Sequence, residues 1–190
     1  TKSVVQAGIE FESSFAGVAK TIEGVIDSTG QLTQAGQELR NEFRQLALST
    51  PIDLNELAKI GELGGQLGIA RDDILDFAET IAKIAVTTDL TSESAATSLA
   101  QIGNIAQLST EEMERLASSI VDLGNNSATT ESGIVNFLTR ISSAGTTAGF
   151  TAQELAGVAA AFSSLGVNAE AGGTAVSKVI STINTAVTEG

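Results

Sequence analysis

The side chains that could carry chemistry in this sequence are mainly carboxylates, because its 190 residues include no histidine and no cysteine. Catalysis at neutral pH usually relies on histidine, cysteine, a bound metal or paired acids. The missing residue types exclude the common zinc sites and the Ser-His-Asp and Cys-His arrangements. We therefore predict no catalytic residue, no metal ligand and no cofactor-binding residue, and we expect that the chain is not an enzyme.

The densest acidic cluster is Asp72-Asp73, and Asp76 lies on the same helical face. A calcium site could use such acids, but the twelve-residue loop with its central glycine is missing. Residues 111–114 form a second acidic group. Both groups are typical of helix N-termini, where negative charge is favourable. Residues 171–174 contain a glycine pair, but the lysine that follows it in a phosphate loop is missing.

The charge balance excludes several partners. The chain has 10 basic and 23 acidic residues, which gives a formal charge of −13. A nucleic-acid-binding surface needs a basic footprint, so we expect no direct nucleic-acid binding. Anionic membrane surfaces are disfavoured for the same reason, and no apolar stretch is long enough to span a bilayer. Because the sequence begins and ends within helical patterns, we expect a longer parent protein.

The first fifty residues carry apolar or small residues at alternating intervals of four and three, which is the seam of a coiled coil. The unbroken phase favours one coiled-coil-like helix from about residue 3 to 48, about 70 Å long at 1.5 Å per residue. The alternative is a hairpin broken at the turn formers of residues 27–30. We predict residues 1–50 to be a helical extension that self-associates. Its seam consists of Val4, Phe11, Phe15, Val18, Ile22, Val25, Leu32, Leu39, Phe43 and Leu46.

From Asp53 onward the sequence predicts helix, short loop and helix, repeatedly. Asp53, Ser109 and Thr151 are each followed three residues later by a glutamate, which is the capping-box pattern of a helix start. Two sets of apolar positions also recur at offsets of 39 or 42 residues. We predict that residues 51–190 form an all-α core domain of helical hairpins, packed as a solenoid or as a compact bundle.

The predicted repeat core comprises two sets of positions, one for each helix of the hairpin. The first set is Leu57, Ile60, Leu99, Ile102, Leu138, Ile141, Ile180 and Ile183. The second set is Ile74, Ala78, Ile81, Met113, Ala117, Ile120, Leu155, Ala159 and Phe162. The fold class is therefore all-α, with a long N-terminal coiled-coil-like helix followed by a helical-hairpin repeat bundle.

Several short motifs, in order and at their spacing, resemble the core region of phage tail tape measure proteins. They are Glu56-Leu57, Leu67-Gly68-Ile69, Phe77, Thr91-Ser92-Glu93, Leu99-Ala100-Gln101-Ile102, Leu123-Gly124-Asn125, Phe150-Thr151, Ala159-Ala160-Ala161, and Gly173-Thr174 with Ser177. Glu10-Phe11-Glu12 resembles the helix that usually precedes this core. Each motif alone carries little information, so the resemblance rests on the whole series.

The resemblance implies a structural protein of the virion tail, assembled in the host cytoplasm. Such proteins extend inside the tail tube, set tail length during assembly and are expelled during genome ejection. It also implies the partners: copies of the chain itself, as a homo-oligomer and preferably a trimer, tail tip or baseplate proteins, the tail tube protein and assembly chaperones.

Two other function classes fit the residues. An α-helical repeat adaptor would bind a protein partner in a groove and would be a stable monomer. A secreted effector or pore former would insert into membranes, for which the sequence offers no strong segment. Size measurement in solution, with and without residues 1–48, separates the adaptor from a self-associating tail protein.

Overall fold

The computed structural model describes the backbone of residues 2–189 and the side chains of residues 6 and 8–189. Within these residues the fold is all-α, as the sequence predicts. The described residues form nine α-helices, in the order α1 (Lys2–Thr21), α2 (Gln34–Ser49), α3 (Leu54–Gln66), α4 (Ile74–Thr87), α5 (Ser92–Ala106), α6 (Thr110–Asn126), α7 (Glu131–Thr147), α8 (Ala152–Ser164) and α9 (Ala169–Glu189). A 3₁₀ turn, Arg71–Asp73, leads into α4.

The chain divides into two compact units. Unit 1 comprises Thr1–Val86 and Thr91–Thr97, and unit 2 comprises Thr87–Leu90 and Ser98–Gly190. The predicted domain boundary between residues 50 and 51 falls inside unit 1, where α3 packs against both α1 and α2. No helix in the described part of the chain combines the length and the apolar character needed to cross a bilayer.

The predicted continuous N-terminal helix is not what the structure shows. The chain leaves α1 at Thr21 and enters α2 at Gln34. Between them Gly24 has φ 80°, a left-handed conformation that favours glycine. Asp27 Oδ1 then accepts hydrogen bonds from the amide and the hydroxyl of Thr29, at 2.8 and 2.6 Å. The hairpin alternative is therefore correct. The heptad phase persists because both helices bury their apolar stripes in the same core.

The core of unit 1 depends on close helix approach. A Cβ on Gly61 would lie 2.5 Å from Phe43 Cζ and 3.4 Å from Val18 Cγ2. Glycine at this position lets α3 approach the side chains of α1 and α2, and so offsets its poor helix propensity. Across α3, the buried Phe77 of α4 lies against Gly64.

In unit 2, α7 packs against α6, α8 and α9. Phe137 of α7 stacks on Phe162 of α8, with ring centroids 5.6 Å apart. The predicted capping boxes start two of these helices: Ser109 caps α6 and Thr151 caps α8. In each, the glutamate three residues on accepts a hydrogen bond from the backbone amide of the capping residue. Those two helix starts are confirmed, and so is the start at Asp53, whose carboxylate accepts from the Asn55 amide at 2.8 Å.

Candidate functional site

Seven of the ten residues of the predicted self-association seam lie in the interior of unit 1. The buried members are Phe11, Phe15, Val18, Ile22, Val25, Leu39 and Phe43. Leu32 and Leu46 are partly exposed, and the side chain of Val4 lies outside the described residues. In this arrangement the seam stabilises the unit itself. Self-association through the seam stays a prediction, and it would require unit 1 to open.

Aromatic side chains join α1 to α2 at the centre of this seam. The ring centroids of Phe15 lie 5.8 Å from Phe11 and 6.0 Å from Phe43. At the surface, the Arg44 guanidinium covers the Phe11 ring at 5.0 Å and pairs with Glu12 at 2.7 Å. An exposed ion pair contributes about 0–1 kcal/mol, whereas a buried phenylalanine contributes several times more. The aromatic contacts therefore hold α1 and α2 together.

Most of the predicted repeat core is buried. The buried members are Leu57, Ile60, Ile74, Ala78, Ile81, Leu99, Ile102, Met113, Ala117, Ile120, Leu138, Ile141, Leu155 and Ala159. Phe162 and Ile180 are partly exposed. Ile183, predicted in the core, is instead 59% exposed. The contacts that fix α9 on α7 involve Gly172, Gly173 and Ser177, in the first half of the helix, so Ile183 lies beyond them.

The three helix pairs share one packing device, a glycine that receives the first large apolar residue of the next helix. A Cβ on the glycine would lie 2.6 Å from Ile74 Cδ1 at Gly64, from Met113 Cε at Gly103 and from Leu155 Cδ1 at Gly145. In every pair the two residues are ten positions apart. The apolar residues that contact these glycines, Ile74, Met113 and Leu155, are the ones that begin each repeat of the second set of the predicted core. The same contact between a glycine and an apolar side chain therefore recurs in all three hairpins.

The acidic clusters lie at the starts of helices. Asp72 pairs with Arg71 at 2.9 Å in the turn before α4. Hydrogen bonds from the backbone amide and the hydroxyl of Ser109 hold the pKa of Glu112 below its ordinary value. Among the described residues, no group of three or more acids could hold a metal ion. Glu112 therefore completes the capping box at the start of α6, whereas Asp72 forms an ion pair in the turn before α4.

A cleft of about 700 Å³ lies in unit 1, between α3 and the start of α5. Its acidic lining residues are Asp53, Glu56, Glu62 and Glu93. Asp53 caps α3, Glu56 accepts a short hydrogen bond from the Ser92 hydroxyl, and Glu62 accepts from the Gln66 side chain at 3.3 Å. Three of the four carboxylates are thus engaged in structural hydrogen bonds.

The comparison with protein families decides the class. A model of the phage-related minor tail protein family matches residues 40–190. The chain belongs to that family. The matched range runs from within α2 through α9, so it contains every helix of the repeat. No curated protein and no solved structure matches the chain. Membership in this family makes the chain a structural component of a phage tail.

Sequence reasoning missed one contact of this tail protein. Asp89 accepts hydrogen bonds from the amide and the hydroxyl of Ser132, at 2.9 and 2.6 Å, and so caps the start of α7. Partial burial raises the pKa of Asp89, but these hydrogen bonds outweigh it, and the pKa lies below its ordinary value. The two residues are 43 positions apart. No local pattern connects them, although Thr130, the N-cap residue of α7, marks the helix start.

Proposed function

We propose that this tail protein acts as a tape measure protein, which sets tail length during assembly and is released during genome ejection. The observation that carries the proposal is the family match across residues 40–190, over helices that repeat in sequence and packing. The resemblance of the motifs to tape measure proteins adds the specific role. The proposed location is the virion tail.

The proposed partners follow from the resemblance. They are other copies of the chain, preferably in a trimer, the tail tip or baseplate proteins, the tail tube protein and the assembly chaperones. We propose no catalytic role and no direct nucleic-acid binding, in keeping with a formal charge of −13. The packaged genome would repel such a surface.

A ruler must be extended, whereas the described helices pack into two compact units. A helical rod lengthens by 1.5 Å per residue. The proposal therefore includes the opening of the helix pairs inside the tail tube. The chain suits such opening because it has no cysteine and thus no covalent cross-link. Its helix pairs also meet at glycines. Because glycine has no side chain, it contributes no apolar side-chain surface to the contact, and we propose that this eases separation of the helices.

Tail length after duplication of one helix pair tests the proposal. Residues 91–129 span the α5–α6 pair, and their duplication in the phage gene adds 39 residues. If the added pair extends as helix, tails measured by electron microscopy become longer by about 60 Å. The unaltered gene, supplied in the same way, is the control. An unchanged tail length would contradict a length-setting role, and it is the result that an adaptor protein predicts.

A further inference from the structure

Two hydrogen-bonded contacts tie the starts of α5 and α7 to carboxylates that lie far earlier in the chain. In unit 1, the hydroxyl of Ser92, the first residue of α5, donates to the carboxylate of Glu56 in α3. In unit 2, the amide and the hydroxyl of Ser132 donate to Asp89 at 2.9 and 2.6 Å. We call these contacts the unit 1 clasp and the unit 2 clasp. Their partners are 36 and 43 positions apart.

Each clasp closes a loop of the chain that contains whole helices. The unit 1 clasp encloses residues 57–91 and with them α4. The unit 2 clasp encloses residues 90–131, which include α5 and α6. Because Asp89 precedes Ser92, the two loops overlap in residues 89–92, which we call the clasp segment. One end of this segment belongs to the unit 2 clasp and the other end belongs to the unit 1 clasp.

Further contacts fix the backbone of the clasp segment. Leu90 is buried, and its amide donates to the Thr88 hydroxyl at 3.1 Å. The Thr91 hydroxyl accepts from the Ser94 amide at 3.2 Å and so caps the start of α5. The clasp segment is therefore held in one conformation between its two clasps.

The overlap of the loops determines how the chain bears tension. When a chain is pulled from both sides, a bond between two of its points carries the load, and the chain between those points stays slack. Load that reaches Glu56 passes to Ser92, along the clasp segment to Asp89 and on to Ser132. Residues 57–88 and 93–131 lie off this path. Tension therefore bypasses α4, α6 and all but the first residue of α5 while both clasps hold.

We propose that the two clasps form a conformational device that shields α4, α5 and α6 from tension and so sets the order in which the helix pairs open. The proposal rests on the proposed opening of the helix pairs in the tail tube, and it adds the regulation of that opening. Hydrogen bonds to a carboxylate are stronger than those between neutral groups, which suits a contact that bears load. Forced opening is governed by its rate. A clasp therefore delays the opening of the helices that it encloses, although it contributes little to the total stability.

Single-molecule pulling of the full chain, held at residues 1 and 190 under constant force, tests the proposal. An extended chain measures about 3.3–3.6 Å per residue, so release of residues 93–131 adds about 130–140 Å and release of residues 57–88 adds about 105–115 Å. Asp89→Ala should raise the rate of the longer step about tenfold or more, as expected for hydrogen bonds to a charged group. Glu56→Ala should instead accelerate the shorter step.

The matched control is Glu154→Ala, because Glu154 also accepts from the amide and the hydroxyl of one residue, Thr151, both at 2.9 Å. These partners are three positions apart, so they enclose no helix. The control should leave the rates of both steps unchanged. Equal acceleration of the longer step by Asp89→Ala and Glu154→Ala would overturn the proposal, because helix stability and not the clasp would then set the rate.

A longer step that Asp89→Ala does not accelerate would also overturn the proposal. The pulling experiment measures the isolated chain and requires no tail. A failure of the clasps is therefore distinguishable from a failure of the tape measure role, which tail length after duplication of a helix pair reports.

Discussion

The close contacts at the glycines predict that glycine-to-alanine substitution lowers stability at one position and raises it at another. Replacing a helical glycine by alanine usually stabilises a helix by about 1 kcal/mol. Gly145 is buried, and a Cβ there would lie 2.6 Å from Leu155 Cδ1 and 2.9 Å from Leu155 Cγ. Leu155 is 1% exposed and cannot swing into solvent. Overpacking of this kind costs about 1–3 kcal/mol, so Gly145→Ala should destabilise unit 2 by about 1–2 kcal/mol.

The matched control is Gly157→Ala in α8, because no atom outside the local helix backbone and the two neighbouring residues lies within 4 Å of a Cβ at Gly157. This variant should be more stable than the parent by about 0.5–1 kcal/mol. Gly103→Ala should fall between the two, since only Met113 Cε lies in the way and a flexible methionine can move. Urea denaturation followed by circular dichroism gives the order of the three midpoints.

A double-mutant cycle checks the cause of the effect. Leu155→Ala removes the side chain that a new methyl group at Gly145 would meet, at a cost of about 2–5 kcal/mol on its own. The cost of adding Gly145→Ala to this background should be close to zero or negative, because the clash is gone. If Gly145→Ala stabilised the parent as much as Gly157→Ala does, the close packing of α7 on α8 would be refuted.

Three further predictions concern the core, the pH dependence and the overall stability. Phe43→Ala should lower the stability of unit 1 by about 3–5 kcal/mol without changing the sedimentation mass, because Phe43 is buried inside the unit. A fall in mass would instead support self-association through the seam. Hydrogen bonds from the amide and hydroxyl of Thr151 lower the pKa of Glu154 from 4.5. The stability that these hydrogen bonds contribute is present above pH 4.5 and is lost as the pH falls through the lowered pKa. Glu154→Gln should therefore have a lower free energy of unfolding than the parent at neutral pH, and the two values should converge in acid. A difference in unfolding free energy that does not depend on pH would count against the capping box. The midpoint of thermal unfolding should lie within or below about 45–65 °C, because release through a tail tube requires units that open readily. A much higher midpoint would count against the opening of the units.

The sequence predicts local features of this fold well. The helix starts at Ser109 and Thr151 could be predicted because a capping box needs only residues three positions apart. The helix pairs could be predicted from the recurrence of apolar positions such as Leu99 and Leu138, which the structure buries. Both signals lie within one helix or repeat at a fixed spacing, so no knowledge of the tertiary packing is required.

Other features depend on tertiary contacts that local sequence patterns do not specify. The heptad phase predicts one helix, yet Gly24 and Asp27 turn the chain while the apolar stripe keeps its phase on both sides. The partner of Asp89, Ser132, is too distant in sequence to be recognised from a motif. The exposure of Ile183 depends on where the contacts of α9 with α7 end, which periodicity does not specify.

The chain belongs to a phage tail protein family, and we propose that it leaves the virion with the genome. Mass spectrometry of purified phage tails before and after triggered DNA ejection tests it most directly. The account predicts peptides from residues 40–190 in intact tails and a strong loss of these peptides from emptied tails, relative to the tail tube protein. Peptides retained at the same ratio in emptied tails would contradict release, and their absence from intact tails would contradict the structural role itself.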